Sequence, residues 1–181
     1  GDFLFGPECE GATEIYYNIN RNLKSNGFIC GRVTMEGSFT GGYYPDLSDY
    51  EPVHHDLDLK MDFILDDMTG FYAVAFDPKG KLGWKSNKII DPDGDPGYDG
   101  AQIIEVLTKQ VDKRYLGYLE SMAIPYIFAG ETEIDVKIAL FKLKNIVGCE
   151  ALLLEGGSII NGYFQRADVI DELSLVIAPV T

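Results

Sequence analysis

From residue 71 onward, short apolar runs alternate with longer segments whose apolar residues have helical spacing. Helices are predicted to begin at Asp112, Thr132 and Ser158. The apolar runs are FYAVAF (71–76), IIEVL (103–107), IPYIFAG (124–130), ALLL (151–154) and ELSLVIAPV (172–180). Alternation of this kind is typical of βαβ crossovers, and runs that are apolar throughout suit strands buried on both sides. The sequence therefore predicts an α/β fold with a mostly parallel central sheet and helices on both faces.

The first 60 residues have a different pattern. Thr13 is predicted to cap a helix that Gly27 ends, because Thr is a common N-cap and Gly a common helix terminator. GFIC (27–30) is predicted to be a buried strand. Residues 40–60, rich in Gly, Pro and polar side chains, are predicted to form a long loop.

Composition narrows the functional classes. A chain of 181 residues is predicted to be one domain with a sizeable core. A net charge of −14 argues against nucleic acid or an anionic membrane as partner, because both require a basic surface. Three cysteines without a CxxC pairing indicate reduced thiols and a cytoplasmic location.

One candidate site follows the run ALLL, which ends at Glu155, Gly156 and Gly157. Glycine allows a sharp turn and close approach of a ligand, and the N–H groups of the next helix favour phosphate. Ser158 adds a hydroxyl donor, and Gly162 allows close packing of the helix or of a ligand. The alternative is a tight turn without a ligand, because the motif is neither GxGxxG nor a Walker loop.

A second candidate site is GRVTMEG (31–37), which also follows a predicted strand and opens a helical stretch. Arg32 offers a guanidinium fork for phosphate, and Thr34 can cap the helix and donate to the same group. A surface arginine is the alternative. Two such strand-to-helix corners in one domain suggest the two ends of a dinucleotide.

These motifs resemble a known family. GRVTMEG is similar to the Gly-Arg-x-Thr segment of dihydrofolate reductases. LLLEGGSIINGYF, followed by ADVIDELSLVIAPV, closely resembles the reductase domain of the bifunctional riboflavin-biosynthesis deaminase/reductase. The resemblance implies one dihydrofolate-reductase-like domain over residues 1–181, without the family's N-terminal strand and C-terminal closing strands. It also implies an NADPH-dependent reductase, and a homodimer, since the family's closing strands pair between subunits.

The resemblance also implies roles for particular residues. Glu155 is expected to face the substrate as the catalytic group, with a purely structural role in the turn as the alternative. The expected cofactor contacts are Gly31, Arg32, Thr34, Asp77, Lys79, Gly156, Gly157, Ser158, Ile159, Ile160 and Gly162. The family's substrate-phosphate segment carries an arginine, whereas GSFTGGYYPDLSD (37–49) has none. The substrate is therefore left open between a phosphorylated pyrimidine and another heterocycle such as a pterin, and a non-catalytic nucleotide-binding protein is the third reading.

No metal site is predicted. His54 and His55 are interpreted as surface residues, because no second motif at ligand spacing accompanies them. Residues 91–100 resemble a calcium loop but have Pro96 and Gln102 where Gly and Glu are required. Trp84 and Tyr98 are candidates for lining a planar-substrate pocket, with ordinary packing as the alternative.

Overall fold

The protein is described by a computed structural model that covers residues 10–53, 61–68, 70–92 and 94–177. This part of the chain forms a five-stranded sheet in the order β4-β3-β2-β1-β5, in which every neighbouring pair is parallel. The strands are β1 (Gly27–Gly31), β2 (Tyr72–Phe76), β3 (Gln102–Leu107), β4 (Tyr126–Phe128) and β5 (Leu153–Gly156). The predicted α/β fold class is confirmed, and the sheet is consistent with a dihydrofolate-reductase-like fold.

Helices connect these strands. They are α1 (Glu10–Asn22), α2 (Arg32–Met35), α3 (Lys113–Ser121), α4 (Val136–Lys142) and α5 (Ser158–Ala167). Two of them continue as π-helical segments, α2 through Glu36–Thr40 and α4 through Leu143–Val147. A 3-10 turn, Leu47–Asp49, interrupts the loop predicted for residues 40–60. Among the residues described, no helix is long and apolar enough to span a bilayer.

Both faces of the sheet are buried, which explains why the strand sequences are mostly apolar. On one face, Phe28 and Cys30 of β1 pack in a core that includes Leu116 and Leu119 of α3. On the other face, Ile29 packs in a second core that includes residues of α4 and α5, among them Phe164. Side chains alternate between the two cores along each strand because successive residues of a strand point to opposite faces.

Three predictions about helices and strands are wrong: the ends of α1, the cap of α4 and the final strand. Thr13 lies within α1, which ends at Asn22, and Gly27 is the first residue of β1. The cap of α4 is Asp135 rather than Thr132, because the Asp135 carboxylate accepts the backbone N–H groups of Lys137 and Ile138. The Asp112 cap of α3 is confirmed.

The third wrong prediction is the final strand over residues 172–180. Residues 172–177 form no strand with the described part of the chain, and residues 178–181 lie outside it. Leu173, Leu175 and Ile177 are 80%, 71% and 78% exposed. An alternating apolar pattern predicts a strand only where an open sheet edge is available to pair with it.

Gly27 is required by the pairing of β1 with β2. Its φ is +155°, and a Cβ there would lie 2.1 Å from the carbonyl oxygen of Tyr72. We expect Gly27→Ala to lower the free energy of unfolding by about 2–4 kcal/mol, because the backbone of β1 or β2 must shift. Gly11→Ala is the control: it lies in the exposed part of α1, where a Cβ meets no described atom within 4 Å, so a gain of about 0.5–1 kcal/mol is expected. Urea denaturation of both variants measures the difference; equal stabilities would contradict the assignment.

Candidate functional site

The carboxyl ends of β1 and β5 meet at one edge of the sheet. Cys30 pairs with Gly156, so the two strands end side by side. The chain leaves β1 toward the first core, where Met35 of α2 is buried, and leaves β5 toward the second core, where Ile160 of α5 is buried. The connections that follow these two neighbouring strands therefore lie on opposite faces of the sheet. Such a switch point leaves a crevice, which is where open α/β sheets bind their ligands.

The two glycine-bearing corners are in contact across this crevice. A Cβ added to Gly157 would lie 3.3 Å from Oγ1 of Thr34, and a Cβ added to Gly31 would lie 3.5 Å from the side chain of Ile160. The structure therefore brings together the two motifs that the sequence separates by more than 100 residues. Ligand contacts at these residues stay predictions.

The first turn of α5 is open to solvent. Gly157 is its N-cap and supplies no side-chain cap, and Gly157, Ser158 and Ile159 are exposed. Gly156 has φ +108°, a backbone conformation that favours glycine, and the peptide between Gly156 and Gly157 is cis. An α-helix leaves its first N–H groups without intrahelical partners, and an uncapped, exposed helix start can offer them to an anion. Ile159, 72% exposed, lies beside these groups.

Arg32 lies at the start of α2, on the corner that faces α5. Its Nη1 forms an ion pair with the Glu36 carboxylate one helical turn later, and about a third of each side chain is exposed. Burial raises the pKa of the nearby Asp77 carboxyl, and the Arg32 guanidinium opposes part of that increase. A bidentate group with this exposure is suited to a phosphate.

Asp77 and Lys79 follow β2, the neighbour of β1. Asp77 is fully buried, and its Oδ2 accepts the backbone N–H groups of Lys81 and Leu82. Burial raises the pKa of Asp77, while these N–H groups and Arg32 oppose the increase. The Asp77 side chain thus closes the turn after β2, whereas Lys79 is exposed and free to meet a ligand.

Glu155, the last residue but one of β5, is held by side chains from two other segments. Its Oε1 accepts the Asn20 amide of α1, and its Oε2 accepts the Tyr98 hydroxyl at 3.0 Å. Burial raises the pKa of Glu155 to about 7, against the lowering effect of the hydroxyl groups of Tyr98 and Tyr16. A carboxyl group poised near neutrality can give or take a proton at physiological pH.

The other candidates have simpler surroundings. Beside Gly162, the nearest atom to an added Cβ is Nη1 of Arg166 at 3.5 Å, so close helix packing does not explain this glycine. Trp84 is buried in the core, where its Nε1 donates to Glu105, and so it packs rather than lining the crevice. Tyr98 does lie at the site, through Glu155.

Sequence reasoning missed Asn20, Tyr16 and Glu36. Tyr16 and Asn20 are one helical turn apart, on the face of α1 that meets β5, and Asn20 is only 7% exposed. A polar residue at a position that the helical period buries was the available signal. Glu36 follows Arg32 at a spacing of four residues, which favours an ion pair on a helix.

Two further features lie apart from this edge. A shallow groove is lined by residues 49–53 of the loop and by Gly117, Glu120 and Ser121 of α3, and it shares no residue with the two corners. Within the described residues, no group of three or more His, Cys, Asp and Glu side chains could hold a metal ion. His54 and His55 lie outside the described residues.

The fold and the crevice define an α/β domain of the dihydrofolate-reductase-like class. Residues 98–181 match the family described as the RibD C-terminal domain. This match supports the resemblance seen in the sequence to the reductase domain of the bifunctional riboflavin-biosynthesis deaminase/reductase. No curated protein matches the chain.

The raised pKa of Glu155 makes a prediction about stability. The ordinary pKa of a Glu carboxyl is 4.5, so between pH 4.5 and about 7 the folded protein keeps a proton that the unfolded chain releases. The carboxyl therefore destabilises the fold progressively as pH rises through this window, and by about 2–3 kcal/mol above it. We expect Glu155→Gln to match the wild type near pH 4.5 and to become more stable by that amount above pH 7.5.

Urea denaturation at a series of pH values measures this difference. Other buried acids contribute equally to both proteins and cancel. Asp168→Asn, an exposed change at the end of α5, is the matched control because it also replaces a carboxyl group by an amide, away from Asn20 and Tyr98. Parallel curves for wild type and Glu155→Gln would show that the carboxyl titrates normally.

Proposed function

We propose that this chain is a cytoplasmic, NADPH-dependent reductase of a small heterocyclic substrate, resembling 5-amino-6-(5-phosphoribosylamino)uracil reductase. The observation that carries the proposal is the contact between the corners at Gly31–Thr34 and Gly156–Ser158, at the switch point of the sheet. The match of residues 98–181 to the RibD C-terminal domain supports it independently.

The residues of the two corners fit a nicotinamide dinucleotide. The uncapped start of α5 supplies N–H groups for the pyrophosphate, with the Ser158 hydroxyl beside them. Arg32 supplies the charge for the 2′-phosphate, and Thr34 a hydroxyl between the corners. When bound, the reduced nicotinamide supplies a hydride. The protein's part is to fix the two reactants against each other and to exclude water.

Glu155 is the residue proposed to act on the substrate. Its position next to the Gly156–Gly157 corner places a titratable carboxyl beside the proposed cofactor site. With a pKa of about 7, close to half of the Glu155 carboxyl groups hold a proton at neutral pH. Reduction of an imine or a ring double bond needs one proton besides the hydride, and a protonated Glu155 would supply it.

The substrate is proposed to be a pyrimidine or a pterin-like heterocycle. Residues 37–49 contain no arginine to hold a substrate phosphate, which favours a heterocycle without one over the phosphorylated pyrimidine of the family. A nucleotide-binding protein without turnover is the remaining alternative, and the turnover experiment below separates it from an enzyme.

Calorimetric titration with NADPH and with NADH tests the cofactor. We expect Arg32→Ala to weaken NADPH binding about 10- to 100-fold, because a charge-assisted pair with the 2′-phosphate is lost, and to leave NADH binding nearly unchanged. Arg114→Ala, an exposed arginine of α3, is the control and should change neither affinity. Equal, negligible binding of both nucleotides by the wild type would refute the cofactor.

Turnover is tested with NADPH and a panel of pyrimidine and pterin substrates, followed by loss of absorbance at about 340 nm. A reductase should consume NADPH with at least one member of the panel, and Glu155→Gln should slow that reaction. NADPH binding without consumption across the panel would favour the non-catalytic alternative.

A homodimer is also proposed. Leu173, Leu175 and Ile177 form an exposed apolar row after α5, a pattern that solvent disfavours and a second subunit would cover. We expect light scattering to give the mass of two chains, and the double change Leu173→Ser and Leu175→Ser to give that of one. A wild-type mass of one chain at high micromolar concentration would refute the dimer.

A further inference from the structure

The side chains of Asn20, Tyr98 and Glu155 form a hydrogen-bonded triangle. The Asn20 amide donates to Oε1 of Glu155 and, at 3.3 Å, to the Tyr98 hydroxyl oxygen. The Tyr98 hydroxyl donates to Oε2 of Glu155 at 3.0 Å. An amide nitrogen has two protons to donate, and a hydroxyl both accepts and donates, so all three hydrogen bonds can form at once. The triangle fixes the orientation of the carboxyl group.

Rigid packing holds the triangle in place. The Tyr98 ring meets Phe28 of β1 edge to face at 5.1 Å and lies 6.1 Å from Phe39. The edge of the Tyr17 ring on α1 lies against it from the other side, at 6.3 Å. A ring enclosed in this way has little freedom to withdraw its hydroxyl from Glu155.

We propose that Asn20 and Tyr98 are positioning residues that orient the Glu155 carboxyl group. The use of that orientation in a reaction rests on the proposed function. There, Glu155 would give its proton to the heteroatom of the reduced substrate double bond, and the carboxylate left behind would keep the Asn20 amide and the Tyr98 hydroxyl as donors to its two oxygens.

The other titratable groups around Glu155 keep one charge state near neutral pH. Burial raises the pKa of Cys30, on β1, to about 12 and that of Tyr16, on α1, to about 12, and it also raises that of Tyr98. Asp95 stays ionised, since its hydrogen bond to Arg21 lowers its pKa. Glu155 is therefore the group in this cluster that gains and loses a proton between pH 5 and 9.

The positioning role is tested on the protein without any ligand. Infrared difference spectra recorded over pH 4–9 report the C=O band of the protonated carboxyl, assigned to Glu155 by its absence in Glu155→Gln. We expect Tyr98→Phe to raise the midpoint of this band by about one pH unit, because a donor to the charged form is lost while the ring packing is kept. Tyr50→Phe, a tyrosine that packs on Tyr118 far from the site, is the control. An unchanged midpoint in Tyr98→Phe would overturn the positioning role.

The consequence for catalysis is tested in turnover with the substrate that the panel identifies. We expect Tyr98→Phe to lower kcat about tenfold with little change in KM for NADPH, because the Glu155 carboxyl group loses a group that orients it. A kcat equal to that of the wild type would show that the orientation is not used in the reaction. If the protein binds neither nucleotide, the proposed function has failed, and the infrared midpoint still decides the positioning role.

Discussion

The pairing of β1 with β5 is the contact on which the candidate site depends. These strands are separated by more than 120 residues, yet their parallel register places Cys30 beside Gly156. The chain builds β2, β3 and β4 on one side of β1 before it crosses back to add β5 on the other. That reversal sends α2 and α5 to opposite faces, and the crevice between them follows from topology before any site residue is considered. The start of α5 and the corner at Gly31–Thr34 come together because the two strands end together.

Two strands of the sheet carry buried or half-buried glutamates, whose carboxyl groups have raised pKa values. Glu105 of β3 is fully buried, and its Oε1 accepts the Trp84 indole N–H and, at 3.1 Å, the Tyr115 hydroxyl. Burial and the nearby Asp77 carboxyl raise the pKa of Glu105 well above its usual value, because both disfavour the charged form. Glu155 differs because it is only half-buried and has donors to both of its carboxylate oxygens. The same residue type therefore lies in the core in one strand and beside the candidate site at the end of another.

The sequence was sufficient for the strands that are buried on both faces. The run FYAVAF is apolar at every position, and IIEVL at every position but Glu105, because each of their two faces meets a core, so the local signal agrees with the tertiary environment. The cap at Asp112 was predictable for the same reason, since the side chain acts on its own helix. The cap prediction was wrong where more than one residue could cap the helix. Asp135, not Thr132, caps α4, and only the three-dimensional packing selects between them. The apolar alternation of residues 172–177 did not by itself produce a strand, because pairing depends on which sheet edge is within reach.

The candidate site also contains residues that the sequence could identify and residues that it could not. The glycines and Arg32 could be singled out because their chemistry is local: a turn, a helix start, a guanidinium. Asn20 and Tyr98 could not be assigned to Glu155, because the hydrogen bonds that join them span 135 and 57 residues of sequence. Such contacts exist only once the sheet has placed α1 over β5. A buried asparagine one turn after a tyrosine is, in retrospect, the feature of α1 that a packing argument alone leaves unexplained.

The net charge of −14 sets the remaining condition on any anionic ligand. Fields of distant exposed carboxylates are screened over about 8 Å at physiological salt, so the groups inside the crevice dominate there. The two groups proposed to hold an anion there are the first N–H groups of α5 and the Arg32 guanidinium. Arg32 is paired with Glu36, so a phosphate must displace or share with that carboxylate before it gains the full charge. The ion pair therefore weakens the binding of singly charged ligands more than that of a phosphate group. A phosphate carries two negative charges and so competes better with Glu36 for the guanidinium.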